Sequence, residues 1–209
     1  MTDENKPEAS PTSPAIRPSP PPVPGYPGRP GWTPTQSQPF PLIDADPHFS
    51  RVVRFLRPSD LMWAGVFTAS APVIIWHSEW VDTPAGRMKP LRALRGPLVL
   101  ATICGATAGF FYAYMASSKR FWGWTENMRE VQKDWTEMTQ RVKEGKSLYG
   151  YTDMSDFMQG VSARNSRYSQ LKLAVLPWFN FSNHKYHGVD PAMYGEGARA
   201  VDQPKETTL

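Results

Sequence analysis

The chain has 209 residues, of which 22 are proline and only one is cysteine, and its formal net charge is +4. The single cysteine excludes an intramolecular disulfide framework. The basic residues are spread along the chain without the interleaved aromatic residues of a nucleic-acid surface, so nucleic-acid binding is not expected. Short basic flanks beside anionic lipid explain the modest positive charge more simply.

Residues 1–41 form a proline-rich arm that includes the run SPPPVPGYPGRPGWTP. Prolines fix φ and remove backbone donors, so this arm is predicted to be disordered or extended with polyproline II character. Recognition by a proline-binding module is the alternative. Acidic residues at Asp3, Glu4 and Glu8 argue against a basic transit peptide, so import would depend on internal features.

Residues 42–60 are predicted to be an interfacial segment that leads into the first apolar segment. A short helix here places apolar side chains toward the membrane interface and arginines near lipid phosphates, which favours anionic lipid as a partner. The arginines in question are Arg51, Arg54 and Arg57. His48 is expected to be solvated or hydrogen-bonded rather than a proton carrier.

Residues 61–117 are predicted to be a transmembrane hairpin with spans at about 61–77 and 96–117. The 22 residues of the second span carry no charge, and as a helix they extend about 33 Å, which exceeds a hydrocarbon core of about 30 Å. The first span is shorter and contains Pro72, so a buried helix of a soluble protein is its alternative reading. Three tryptophans suit the headgroup layer as interfacial anchors, namely Trp63, Trp76 and Trp80.

Small residues recur every fourth position in the second span and form a smooth strip on one helix face. The strip consists of Ala101, Gly105, Gly109 and Ala113. Gly65 and Ala69 make a shorter strip of the same kind in the first span. Such strips let helix backbones approach closely, so these six residues are predicted to mediate helix packing within the hairpin or against a partner. Thr102 and Thr107 are candidates for interhelical hydrogen bonds.

The connector between the spans is short, so the spans are predicted to be antiparallel with both termini on one side of the membrane. The connector carries four basic residues near the spans, whereas the terminal side carries six. The positive-inside rule therefore favours a matrix or cytoplasmic location of both termini.

Residues 118–146 are predicted to be an extra-membrane amphipathic helix with Thr125 as its N-cap and Gly145 as its stop. Apolar residues recur there at alternating spacings of four and three, which is the a/d pattern of a heptad. A stripe of this kind can form a coiled coil, lie on the bilayer or dock on a protein, and docking on a partner is favoured because tryptophans suit a binding anchor. The stripe comprises Trp124, Met128, Val131, Trp135, Met138 and Val142.

Residues 147–209 are predicted to be an extended, aromatic-rich tail draped over a partner, with a short helix over 153–161. Its apolar stretch LKLAVLPWFNF, residues 171–181, is too short to span a membrane. His184 and His187 lie near Asp190, but the chain offers no further histidine cluster or cysteine there. A metal site is therefore not expected.

No catalytic or cofactor motif occurs in the sequence, and neither span contains an acidic or basic residue. Ion or proton translocation ordinarily requires such residues, so a transporter is disfavoured and no cofactor or small-molecule substrate is expected. The predicted fold class is an all-α membrane protein: a two-helix transmembrane hairpin with an extra-membrane amphipathic helix and extended, largely irregular tails.

The segments PFPLIDADPHFSRVVRFLRPSDLMWAG and WTENMREVQKDWTEMTQRVKEGKSLYG, together with the second span, resemble the two-span 21-kDa accessory subunit family of mitochondrial respiratory complex I, as found in fungi. The resemblance covers roughly residues 39–190 and leaves out the proline-rich arm. It implies a supernumerary subunit of NADH:ubiquinone oxidoreductase in the mitochondrial inner membrane, with membrane-arm subunits as partners and no cofactor or catalytic residue of its own.

The predicted function is therefore a non-catalytic accessory subunit that packs on and bridges membrane-arm subunits. The alternative from another class is an inner-membrane tether or assembly factor that recruits a soluble partner through its proline-rich arm. A small membrane enzyme is a third alternative and would require a cofactor to co-purify.

Overall fold

The fold is known from a computed structural model that describes residues 38–82, 90–167, 179–195 and 197–198. Within these ranges the chain forms helices and no strand, which confirms the all-α prediction. The proline-rich arm up to residue 37, residues 83–89 of the connector, residues 168–178 and 196 of the C-terminal tail and the last eleven residues lie outside the described residues. The helices are α1 (Phe49–Arg54), α2 (Pro58–Asp82), α3 (Leu91–Phe121), α4 (Met128–Lys143), α5 (Asp156–Ser166) and a 3₁₀ helix, Pro191–Tyr194.

The two long helices, α2 and α3, contain the predicted spans and extend beyond them, with 25 and 31 residues respectively. Pro58 begins α2, where a missing amide proton costs nothing. At the same end of the pair, α3 ends at Phe121 and the chain turns at Gly123, whose φ of 71° favours glycine. Among the described residues, α2 and α3 are the helices long and apolar enough to cross a membrane.

The contact between α2 and α3 is close because glycines of α3 lie against the backbone of α2. A Cβ atom added at Gly105 would stand 2.7 Å from the carbonyl oxygen of Phe67, and one at Gly109 would stand 2.5 Å from that of Ala64. Contacts thus move toward the start of α2 as α3 advances, so the two helices are antiparallel. Ala113 continues this strip and is buried, while Ala101 is half-buried.

Helix α2 contacts α3 through a different face from the one that carries Gly65 and Ala69, so for these two residues packing against a partner stays a prediction. Gly65 has open space around its Cα, and Ala69 is exposed, so neither residue belongs to the α2–α3 contact. The contact face of α2 is displaced by one residue and includes Ala64, Thr68 and Ala71. Small-residue spacing is the same on both faces, and only the docking of α3 distinguishes them.

The two threonines of α3 do not bridge the helices. Thr102 donates its hydroxyl to the carbonyl of Leu98 at 2.8 Å, and Thr107 donates to that of Ile103 at 2.9 Å. Both acceptors lie four residues earlier in the same helix, which is a common way for a hydroxyl to be satisfied in a span. The helix pair is therefore held by close backbone approach rather than by these hydroxyls.

A layer of short helices and loops covers the end of the pair where α2 begins and α3 ends. The core of this layer joins the segment before α1, α1, the last turns of α3 and α4. It consists of Ile43, Val52, Phe55, Tyr114, Phe121, Trp122 and Val131. A second cluster, Met138, Leu148, Tyr194 and Ala198, joins α4 to the C-terminal segment. We refer to this part of the molecule as the end layer.

The segment before α1 is held in the end layer by backbone hydrogen bonds to distant parts of the chain. The amide of Ile43 donates to the carbonyl of Phe121 at 2.8 Å, and that of Ala45 donates to His187 at 2.9 Å. Phe49 similarly donates to Asn180 at 2.7 Å. The interfacial segment and the C-terminal tail, predicted as separate units, thus form one layer.

The amphipathic helix α4 is shorter than the predicted 118–146, because residues 118–121 belong to α3. Its N-cap is Asn127 rather than Thr125. The Asn127 amide donates at 2.8 Å to the carbonyls of Pro41 and Arg120, which locks the turn between α3 and α4. The predicted stop is confirmed, since Gly145 follows the helix with a φ of 63°.

Candidate functional site: a buried ionic junction

The end layer contains nine buried acidic, basic and histidine side chains, contributed by segments far apart in sequence. We call this set the ionic junction. It comprises Asp44, Asp46, Arg51, Asp60, Arg120, Glu130, Asp134, His184 and His187. Buried charges are costly unless they are paired and hydrogen-bonded, so their arrangement decides whether the layer is stable.

Arg51 is the centre of one half of the junction. Its guanidinium donates to Asp44 at 3.0 Å and also pairs with Asp134, which accepts a further hydrogen bond from the hydroxyl of Tyr194 at 2.8 Å. Burial alone would lower the pKa of Arg51, but the attraction of Asp134 and Asp44 raises it above its ordinary value. One cation therefore joins α1, α4 and the segment before α1.

The prediction that Arg51 lies near lipid phosphates is wrong, because only 8% of its side chain is exposed. Arg54 is exposed but pairs with Glu137 of α4. Arg57 donates from Nε to Glu130 at 2.7 Å and from Nη2 to Glu126 at 3.1 Å. The three-residue spacing does put these arginines on neighbouring faces, yet carboxylates of the same chain bind them.

The two histidines complete this half of the junction. His187 directs Nδ1 to the Asp44 carboxylate at 2.8 Å and Nε2 to the carbonyl of His184 at 2.6 Å. Both ring nitrogens of His187 therefore lie opposite groups that accept hydrogen bonds. The ring stacks on Tyr149 with centroids 3.6 Å apart, and burial raises the pKa of that tyrosine well above its ordinary value.

His184 has a different environment. Its Nε2 lies 2.8 Å from Asp46, while its Nδ1 accepts from the amide of Tyr186 at 3.2 Å, which fits the neutral tautomer. Asp46 also accepts from the hydroxyl of Ser166 in α5. Within the described residues no group of three or more His, Cys, Asp or Glu side chains is arranged to hold a metal ion, and Asp190 instead caps the 3₁₀ helix.

The other half of the junction joins the ends of the long helices. Asp60, in the first turn of α2, accepts from Nη1 of Arg120 in the last turn of α3 at 3.2 Å. Glu130 of α4 accepts from Arg57 and lies 3.6 Å from Nε of Arg120. These ion pairs attach α4 to the end of the two long helices.

We predict that Asp44 makes the fold sensitive to acid. Burial would raise its pKa, but His187 and Arg51 lower it below the ordinary value. A carboxyl with a lower pKa in the folded state stabilises the fold above its unfolded pKa of about 3.9, and this stabilisation is lost as the pH falls below that value. The thermal midpoint, measured between about pH 6 and about pH 3, should fall more steeply in the wild type than in Asp44→Asn. An equal fall of the thermal midpoint with pH in the two proteins would contradict the conclusion that Asp44 causes the acid sensitivity.

The apolar stripe of α4 is mostly used inside the chain. Val131 and Met138 are fully buried in the two clusters of the end layer, and Trp135 packs against Tyr194 with ring centroids 5.8 Å apart. Trp124 and Val142 are half-buried, and Met128 is 46% exposed. Docking of the whole stripe on a partner is therefore wrong, since the chain itself provides the surface that sequence reasoning did not find.

Sequence reasoning also missed the carboxylates of the junction. The residues concerned, to which the sequence alone assigned no role, are Asp44, Asp46, Asp60, Glu130 and Asp134. Two signals were available: DADPH precedes helix α1, which carries two arginines, and Glu130 and Asp134 stand four apart on one face of α4. Arg51 lies only seven residues after Asp44, but the other pairing partners are 60 or more residues away, and only the fold brings them together.

These observations define an all-helical protein with two membrane-length helices, closed at one end by a layer that its own ionic pairs hold together. Residues 37–126 match the family model of the NADH-ubiquinone oxidoreductase complex I, 21 kDa subunit, and residues 135–206 match that of the C-terminal part of the same subunit. The NADH-ubiquinone oxidoreductase 20.9 kDa subunit of Neurospora crassa is 46% identical over 160 residues, which are 76% of this chain and 82% of that one. The chain belongs to the family of complex I 21 kDa subunits.

Proposed function

We propose that this chain is a non-catalytic accessory subunit of complex I that stabilises the membrane arm by packing on its subunits and bridging them. Membership in a family of complex I subunits implies the mitochondrial inner membrane and association with other subunits of that complex. The charged groups of the junction have partners within the chain, and this supports a structural role.

The observation that carries the proposal is the outer surface of the helix pair. One face of each helix contacts the other, and outside the end layer the remaining surface of the predicted spans carries many exposed apolar side chains. Such a surface requires lipid or neighbouring transmembrane helices. The exposed side chains include Leu61, Val66, Ile74, Leu100 and Ile103.

We propose that the membrane boundaries are marked by the exposed tryptophans of α2. Trp63 lies near the end layer, and Trp76 and Trp80 lie near the opposite end. Trp63 and Trp80 are separated by about 26 Å along a helix, which is close to the hydrophobic thickness of a bilayer. We further propose that the end layer and both termini face the matrix, which the basic residues of the terminal side support.

Outside the membrane, exposed apolar side chains of the end layer are candidates for contacts with other subunits. Met128 begins α4 with nearly half of its surface accessible, and Phe157 of α5 is 74% exposed. Exposed aromatic and methionine side chains are enriched at protein interfaces. We propose that these two positions, rather than the buried part of the stripe, contact the partner.

We expect the tagged chain to co-migrate with active complex I in stoichiometric amount. Digitonin-solubilised mitochondria are separated by native electrophoresis, the gel is stained for NADH dehydrogenase activity, and the chain is detected and quantified in each band. A strain that lacks the chain should contain less of the high-mass active band. Detection only at low mass, or only in inactive partial assemblies, would replace this proposal with that of a tether or assembly factor.

A further inference from the structure

We propose that the cleft between the start of α2 and the end of α3 binds the headgroup of a zwitterionic phospholipid with a primary ammonium group, a phosphatidylethanolamine. The cleft has a volume of about 420 Å³ and opens beside the ionic junction. This inference rests on the proposed membrane-spanning arrangement but not on membership in complex I.

The lining of the cleft changes from apolar to polar along the helix axis. Trp63 and Tyr112, whose ring centroids are 6.5 Å apart, form its wall on the side of the long helices together with Met115. Lys119, Thr125 and Glu126 line the side toward the end layer. At the end of a spanning helix pair, this gradient matches the boundary between acyl chains and headgroups.

Two of the three cationic side chains that line the cleft are already paired with carboxylates of the chain. Arg57 is bound by Glu126 and Glu130, and Arg120 is bound by Asp60. Lys119 is half-buried, and its ammonium has no hydrogen bond or ion pair with any residue in the described ranges. It is the group on which a phosphate would bind, and the hydroxyl of Ser59, at the start of α2, lines the same cleft.

Charge balance selects a zwitterionic rather than an anionic headgroup. Three cations, Arg57, Lys119 and Arg120, line the cleft together with the carboxylates of Asp60 and Glu126. Glu130, which is buried behind the lining, accepts from Arg57 and lies 3.6 Å from Nε of Arg120, so it supplies the third negative charge. An anion would leave the site with an excess negative charge, whereas a zwitterion leaves it neutral. Glu126 keeps 56% of its side chain exposed and can accept from the lipid ammonium.

Binding is tested by native mass spectrometry of the full chain, released from detergent micelles after addition of a single lipid. We expect one saturable adduct with phosphatidylethanolamine and weaker adducts with phosphatidylglycerol and cardiolipin. Lys119→Met should weaken binding of phosphatidylethanolamine about tenfold, because one charge-assisted hydrogen bond is lost. Lys143→Met is the control, because Lys143 is an exposed lysine of α4 outside the cleft.

A second variant tests the ammonium end of the ligand. Glu126→Gln retains a group that accepts from the amide of Met128, as Glu126 does at 2.8 Å, but removes the negative charge. This variant should lose the preference for phosphatidylethanolamine over phosphatidylcholine, which cannot donate a hydrogen bond from its headgroup, and should gain affinity for phosphatidylglycerol.

Three outcomes would overturn the proposal. Tighter binding of phosphatidylglycerol to the wild type would make the cleft a site for anionic lipid, and an unchanged adduct in Lys119→Met would place the lipid elsewhere. If no adduct forms with any lipid, the cleft is not a lipid site and is free for a neighbouring subunit. The proposed function is tested separately by measuring on native gels whether the Lys119→Met variant assembles into complex I. We expect normal assembly.

Discussion

Replacing Gly109 with leucine is expected to separate the two long helices and to prevent the protein from accumulating in its complex. A Cβ at this position would stand 2.5 Å from the carbonyl oxygen of Ala64 and 2.9 Å from its Cα. Both are backbone atoms of α2 that no side-chain rotation can move, so the helices themselves must shift. We expect a loss of stability of at least about 3 kcal/mol, at the upper end of overpacking effects.

The matched control is Gly65→Leu, because Gly65 has no atom within 4 Å of an added Cβ on its side of α2. The same chemical change is thus made in the contact and outside it. Native electrophoresis and the steady-state amount of the chain measure the outcome, and Gly105→Leu should behave like Gly109→Leu. Normal assembly of Gly109→Leu would show that close approach of α2 and α3 is not needed. If Gly65→Leu prevented assembly and Gly109→Leu did not, the outer face of α2 would be shown to contact another subunit.

Arg51→Met is expected to destabilise the end layer by about 3–5 kcal/mol, the cost of breaking a buried ion pair from one side. Methionine keeps much of the side-chain volume but leaves Asp44 and Asp134 buried beside each other without their shared cation. Helix α4 and the segment that precedes α1 should then both detach from the rest of the layer. Thermal unfolding in detergent micelles, followed by tryptophan fluorescence, measures the change.

Arg54→Met is the control for this experiment, since the two arginines are one helical turn apart in α1. Arg54 also pairs with an acidic residue of α4, but half of its side chain is exposed. Exposed pairs of this kind contribute about 1 kcal/mol or less. Equal effects of the two substitutions would mean that the burial of Arg51 does not matter, and the ionic junction would lose its assigned role.

The buried charges also show why this layer has a defined structure rather than an irregular one. Apolar clusters alone tolerate many arrangements, whereas each buried carboxylate of the junction is stable only where its own partner is within reach. Asp44 and Asp46 are separated by one residue, yet they bind different histidines. The C-terminal segment is thereby held in one register against the segment before α1.

The sequence by itself determined the helical class, the two membrane-length helices and the family. These features depend on local composition, such as the uncharged run of 96–117, which has to be satisfied within its own segment in a membrane. The positions of Gly105 and Gly109 could also be read from their four-residue spacing, because one helix face is fixed by periodicity alone.

The tertiary structure decided everything that depends on a partner distant in sequence. Whether α3 meets Ala64 or Gly65 on α2 depends on helix rotation, to which small-residue spacing is insensitive. Whether Arg51 binds lipid or Asp134 depends on a contact across 83 residues. The α4 stripe was assigned to another protein because no internal surface was visible in the sequence. That surface exists only once the segment before α1 and the C-terminal segment are packed together.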